Sequence, residues 1–204
     1  MKKLLLLFLL FCSTISTAQL NDDWSVNQVT NQFPILQWSM DLDFIDDNTQ
    51  IVLGRRGEII ILDDWTPRDE LAAEFEVNFS AEGGGLSALY MQINGIDYYF
   101  TYSTQEDTPN YSVVDRWILN VNDNTATHDG VVWIGLFGGG FNHLGGELME
   151  HDGWIYLTLG DNGNRWWAQR NSRDNGKILR LNPLTGDGHP DNPLYTSNFP
   201  NSPE

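Results

Sequence analysis

The chain has 204 residues, of which 41% are hydrophobic and 12% aromatic, enough apolar surface to bury a core and exclude an intrinsically disordered chain. Eleven Lys and Arg stand against 28 Asp and Glu, a formal net charge of −17 that argues against a nucleic-acid binder working by phosphate neutralisation. A single cysteine, Cys12, excludes a disulfide framework and a cysteine-clustered zinc site.

The N-terminus carries Lys2-Lys3, an apolar run over 4–11 and a small, polar stretch over 13–18. This is the layout of a secretory signal peptide, with Ser16-Thr17-Ala18 fitting a cleavage site before Gln19. The apolar run is too short to span a bilayer comfortably. The sequence therefore predicts a signal peptide at 1–18 and, at 19–204, the N-terminal part of a domain, with no membrane span after cleavage. The expected location is periplasmic or secreted. Cleavage removes the only cysteine, which suits an oxidising compartment.

Beyond Gln19 no segment reads as a long amphipathic helix. Short runs rich in Val, Ile, Tyr, Phe and Trp alternate with clusters of Asp, Asn and Gly, and each run is predicted as a strand. In chain order they are 50–53, 58–62, 74–79, 86–92, 97–102, 111–119, 131–134, 146–149, 154–159 and 177–181. Asn94-Gly95, Asp129-Gly130 and Asp152-Gly153 are turn signals between them. Many short strands with such punctuation indicate an all-β sandwich, barrel or propeller. At four strands per blade, the runs amount to roughly two and a half to three blades of a propeller. Residues 189–204 are rich in Pro and Asn and read as a loop.

The chemistry concentrates between Gly138 and Pro193. His143 lies between Gly138-Gly139-Gly140 and Gly145-Gly146, and glycines let a backbone turn sharply and a ligand approach closely. A histidine there is a candidate general base near neutral pH. The run at 154–159 ends at Gly160-Asp161, and a carboxylate just past a strand end can fix the tautomer of a neighbouring imidazole. The two are eighteen residues apart, about one hairpin. The same residues also fit a loop-capping histidine and a turn aspartate. Asp161, Asn162 and Asn164 lack the bidentate Glu of an EF-hand, and His128, His151 and His189 show no ligand spacing, so no metal ligands are assigned.

This stretch resembles the soluble glucose/sorbosone dehydrogenases, also called aldose sugar dehydrogenases. The resemblance rests on His143-Leu144-Gly145-Gly146, Asp152-Gly153-Trp154-Ile155-Tyr156, Gly160-Asp161, Gly176-Lys177-Ile178-Leu179-Arg180 and Asp191-Asn192-Pro193, in the family's order and approximate spacing. Upstream, Ile51-Val52-Leu53-Gly54-Arg55-Arg56-Gly57 is similar to the first-blade strand and turn. Glu82-Gly83-Gly84-Gly85-Leu86 is similar to a glycine-rich segment, and Asp97-Tyr98-Tyr99-Phe100-Thr101-Tyr102 to a tyrosine-rich strand. The resemblance covers most of residues 34–193.

It implies an all-β, six-bladed β-propeller of the quinoprotein type, with only about three blades in these residues. It implies an exported oxidoreductase that oxidises the anomeric hydroxyl of an aldose sugar with pyrroloquinoline quinone (PQQ) as hydride acceptor, and an external electron acceptor. His143 would be the general base and Asp161 its orienting carboxylate. Glu82, Asn142 and Lys177 would bind the cofactor. Calcium is implied too, with ligands expected beyond residue 204, where the family's catalytic arginine segment also lies; the 204 residues alone are then expected to be inactive. Glu147 stands where relatives have Arg or Lys, and Trp166-Trp167 where they often carry small or polar residues. The alternative reading is a non-catalytic extracellular propeller that binds carbohydrate or protein. A propeller glycosidase ranks last, since no pair of carboxylates stands out among the scattered acids.

Overall fold

A computed structural model describes residues 33–105, 111–136 and 142–193. The expected signal peptide at 1–18, the glycines at 138–140 and residues 194–204 lie outside them. A 3₁₀ turn at Pro34–Leu36 begins on a proline, which suits a first helical position. From Trp38 onward the described residues form one unit built of three antiparallel sheets.

The first sheet orders β1 (Ser39–Phe44), β2 (Thr49–Gly54), β3 (Glu58–Asp63) and β4 (Thr66–Pro67), with β5 (Ala73–Glu74) also pairing with β3. The second orders β6 (Gly85–Ile93), β7 (Ile96–Thr104), β8 (Tyr111–Asn120) and β9 (Thr125–Leu136). The third orders β10 (Leu148–His151), β11 (Trp154–Thr158) and β12 (Ile178–Leu181). Each sheet is a meander, and β6 lies beside both β1 and β10. Meandering sheets stacked face to face with their first strands adjacent are the blades of a β-propeller, and three are present.

Alternation along the strands fills the seams between blades. Ala88, Tyr99, Trp117 and Leu119 of the second blade pack with Ile51, Leu53, Ile59 and Ile61 of the first. Their neighbours Leu89, Tyr98, Phe100, Tyr102 and Val114 face the third blade and meet Leu148, Ile155, Leu157, Leu179 and Leu181. Strand β7 is consequently buried on both faces from Tyr98 to Thr104.

Polar bonds close the seam nearest the inner strands. Asp41 Oδ2 accepts Ala88 N–H and Ser87 Oγ–H, both at 2.7 Å, and Asp43 Oδ2 accepts Tyr90 N–H at 2.7 Å. Ser87 Oγ in turn accepts Leu148 N–H at 2.9 Å. Side chains thus satisfy the free edge of β6, which has no ladder partner on that side.

The three blades share one backbone joint. A residue at or just past the end of the second strand donates its N–H to a carbonyl upstream of the inner strand of its own blade. The bonds are Arg55 to Trp38 O (2.9 Å), Thr104 to Gly84 O (3.0 Å) and Gly160 to Leu144 O (2.9 Å).

Several sequence expectations shift. Strand β1 is absent from the expected runs, because its Asp41 and Asp43 are poor strand formers. The run at 74–79 shrinks to β5, since the chain there crosses between blades: Phe75 N–H bonds to Gly57 O and Asn78 N–H to Thr104 O. Asp129-Gly130 is no turn; it sits inside β9 where the register with β8 slips, and Gly130 at φ +144° takes up the irregularity. The run at 146–149 moves to Leu148–His151, because the chain is still turning at Gly146 (φ +111°) and the ladder with β11 begins at Leu148. Asn94-Gly95 and Asp152-Gly153 do close two-residue hairpins with positive φ at both positions.

Candidate active site

Three loops meet at the end of the blades where the inner strands begin. Residues 79–84 lead into β6, residues 142–147 lead into β10, and residues 159–177 join β11 to β12. Gly160 allows the last two to touch. A Cβ there would stand 1.7 Å from the His143 carbonyl oxygen, so no side chain fits. Besides the joint to Leu144, Asn162 N–H donates to His143 O at 3.1 Å. Asn162 is buried at φ +53°, a left-handed conformation that Asn tolerates better than most residues.

These contacts turn His143 toward the strand-end carboxylate. Asp161 Oδ1 lies 3.1 Å from His143 Nδ1 and also accepts Gly163 N–H at 3.0 Å. The acceptor assigns the hydrogen to Nδ1 and leaves the Nε2 lone pair available. The His143 side chain is 68% exposed and that of Asp161 28%, and Nε2 meets no hydrogen-bond partner among the described residues. An exposed imidazole held by a carboxylate in this way can serve as a general base toward an incoming hydroxyl.

Glu82 reaches this pair from the second blade. Its Oε2 accepts the backbone N–H of His143, which is held at φ +55°. The loop carrying Glu82 is itself clasped from the first blade. The Arg55 guanidinium donates to the carbonyl oxygens of Phe79, Ala81 and Gly83, and Arg55 O accepts Gly85 N–H at 2.8 Å. All three blades therefore contribute to the position of one imidazole. Sequence reasoning misses this clasp. The Gly83-Gly84-Gly85 run is its only signal, since a Cβ at Gly84 would stand 2.3 Å from Arg55 O.

Among the residues singled out from the sequence, His143, Asp161 and Glu82 come together, and Asn142 is exposed next to them. Lys177 is engaged elsewhere. Its Nζ donates to Ala168 O, Arg170 O and Asn175 O at 3.1–3.2 Å and ties down the loop that carries Trp166 and Trp167. Glu147 donates its N–H to Thr158 Oγ1. Desolvation, and then the charge of Asp41, push the Glu147 carboxyl above its ordinary value.

Similar proteins bear on this geometry. A glucose dehydrogenase from Thermus thermophilus is 28% identical, with a TM-score of 0.68 over 76% of this chain and 46% of that one. The PQQ-bound form of an aldose sugar dehydrogenase from Streptomyces coelicolor is 24% identical, with a TM-score of 0.68 over 81% and 49%. The apo-form of the soluble aldose sugar dehydrogenase from Escherichia coli is 20% identical, with a TM-score of 0.63 over 81% and 49%. This chain thus spans about half the length of the solved structures it resembles. No curated protein sequence matches it. The sequence pattern described as Glucose / Sorbosone dehydrogenase matches residues 36–202, four-fifths of the chain and every strand of the three blades. The chain belongs to the glucose/sorbosone dehydrogenase family.

Proposed function

We propose that the complete protein is an exported, periplasmic or secreted, PQQ-dependent oxidoreductase acting on the anomeric hydroxyl of an aldose sugar. The observation that carries the reading is the exposed His143 held by Asp161 with Nε2 outward. His143 Nε2 takes the hydroxyl proton as the C–H bond is oxidised. Asp161 keeps Nδ1 protonated and balances the imidazolium charge that forms.

The donor set fits the redox end of a quinone. His143 and Asn142 stand exposed on one loop; the Asn142 carboxamide can donate to a quinone oxygen, and the unprotonated His143 Nε2 can accept from a substrate hydroxyl. When bound, PQQ supplies the two-electron acceptor, and the protein supplies position and polarity. Glu82 serves the backbone of the base. Lys177 holds the neighbouring loop. The sugar, an external electron acceptor and calcium are further partners in this reading.

The test is His143→Ala in the complete protein, with PQQ titrated in and dye-linked sugar oxidation measured. Rates should fall by ~10²–10⁴ while PQQ is still bound, the usual size of a general-base contribution. Activity surviving within about tenfold would remove His143 from the role of base.

A further inference from the structure

The chain is acidic, yet its basic residues are not spread evenly. Four of the 11, Arg165, Arg170, Arg173 and Lys177, fall within the loop that leaves Asp161, and Asp174 is the only acid among residues 165–177. Elsewhere Arg68 pairs with Asp63 and Arg116 with Asp129. The guanidiniums of Arg165, Arg170 and Arg173 form no ion pair with a carboxylate among the described residues.

Two of them stack on aromatic rings instead. Arg165 lies 5.0 Å from the Trp166 ring centroid and Arg173 lies 5.2 Å from that of Trp167. Trp166 is 64% exposed, an unusual placement for so large an apolar ring. The loop is firmly built. Asn164 N–H bonds to Asp161 O, Asn164 accepts the N–H of both Trp166 and Trp167, Gly176 N–H bonds to Gly160 O, and Lys177 clasps three carbonyls. Both ends of the loop are thus fixed at Gly160-Asp161, beside His143.

We propose that residues 165–173 form a subsite for an acidic saccharide, a sugar chain bearing uronate carboxylates, whose reducing end reaches His143. The proposal deepens the dehydrogenase reading and rests on it for the position of the reducing end. The C–H face of a pyranose packs on an exposed indole. A planar guanidinium presents a fork that matches a carboxylate, and a basic loop on an acidic protein attracts anionic ligands while the acidic surface elsewhere repels them. Charge alone would suit any polyanion; the indole beside the guanidinium selects a carbohydrate.

The test uses the complete protein and trigalacturonate, with maltotriose as neutral control, read by tryptophan fluorescence and calorimetry without added PQQ. Trigalacturonate should bind about tenfold or more tightly than maltotriose, the value of one charge-assisted bidentate contact. The gap should narrow in high salt. Trp166→Ala should abolish the fluorescence response, and Arg165→Gln with Arg170→Gln should erase the preference without changing the circular dichroism spectrum. Equal affinity for the two saccharides overturns the proposal. So does loss of PQQ binding in the Arg165→Gln, Arg170→Gln variant, which would assign the guanidiniums to the cofactor's carboxylates, and so does equal binding of a polyglutamate peptide, which would make the loop a protein-docking patch. Dye-linked oxidation separates the two readings. Uronate binding without oxidation removes the dehydrogenase function and leaves the subsite, and oxidation with no uronate preference does the reverse.

Discussion

At His143 the backbone sits at φ +55°, where a Cβ crowds the following carbonyl. Glycine would occupy that conformation without the crowding. His143→Gly is therefore expected to stabilise the fold by about 1 kcal/mol while abolishing activity, read as a higher melting temperature in an inactive protein. A fall in melting temperature would show that the imidazole bond to Asp161 outweighs the backbone term. Glu82 acts on the same residue through its main chain. Glu82→Gln keeps a carbonyl oxygen for the His143 N–H, whereas Glu82→Ala removes it. Sugar oxidation should survive the first change and fall roughly ten- to hundredfold in the second, chiefly in kcat, because a small displacement of a base is costly. Amide hydrogen exchange at His143 reports the bond independently of turnover. It should accelerate in the Ala variant and stay slow in the Gln variant. Equal exchange in both would leave Glu82 without a positioning role.

Strand β1 shows how side chains can replace a missing ladder. Asp41 and Asp43 project toward β6 at every second residue and accept N–H groups at the same interval. Asp41→Ala leaves the buried Ser87 hydroxyl and Ala88 amide without an acceptor. Unpaired buried donors cost about 1–3 kcal/mol each, so an unfolding midpoint in urea well below that of the parent is expected. Asp41→Asn, which keeps one oxygen, should lose less. An unchanged midpoint in the Ala variant would mean that water replaces the carboxylate. This strand is illegible in the sequence for a physical reason: its polar side faces the seam and its apolar side, Met40 and Phe44, is exposed, the inverse of the usual pattern. The strict alternation of Met40, Asp41, Leu42, Asp43 and Phe44 is the signal available. Strands of ordinary polarity are legible, as are the hairpin turns at Asn94-Gly95 and Asp152-Gly153. Asp129-Gly130 misleads because a β-bulge and a turn use the same residues. In the site, His143 and Asp161 can be paired because one hairpin separates them. Glu82 lies 61 positions from His143, and its contact exists only once two blades are stacked. The Lys177 clasp is also tertiary, since its acceptors are carbonyl groups and carbonyls carry no sequence signature.

For the molecule as a whole, stability should depend on pH in two opposed ways. Burial raises the Asp115 carboxyl above its ordinary 3.8, offset in part by the 2.8 Å bond to His128, and burial with the charge of Asp41 raises Glu147 above 4.5. A raised carboxyl contributes stability that is complete below its ordinary value and is lost as pH climbs through the raised one. Asp63, lowered by its hydrogen bond to Arg68, contributes above 3.8 and loses that contribution as pH falls through the lowered value. The formal charge of −17 adds self-repulsion that eases on protonation. Stability is expected to fall as pH climbs through the raised values of Asp115 and Glu147, and Asp115→Asn should lessen that fall. Thermal melts as a function of pH test it; a maximum at the alkaline end would contradict it. The joint repeated at Arg55, Thr104 and Gly160 has a different bearing on the molecule. It is made of main-chain atoms and is indifferent to the side chain at position 143. Scaffold and rim side chains are therefore separable: the rim carries three related seats, His143 and Asp161 occupy the third, and a pair of side chains grafted onto the first or second is expected to be held by the same kind of main-chain bond.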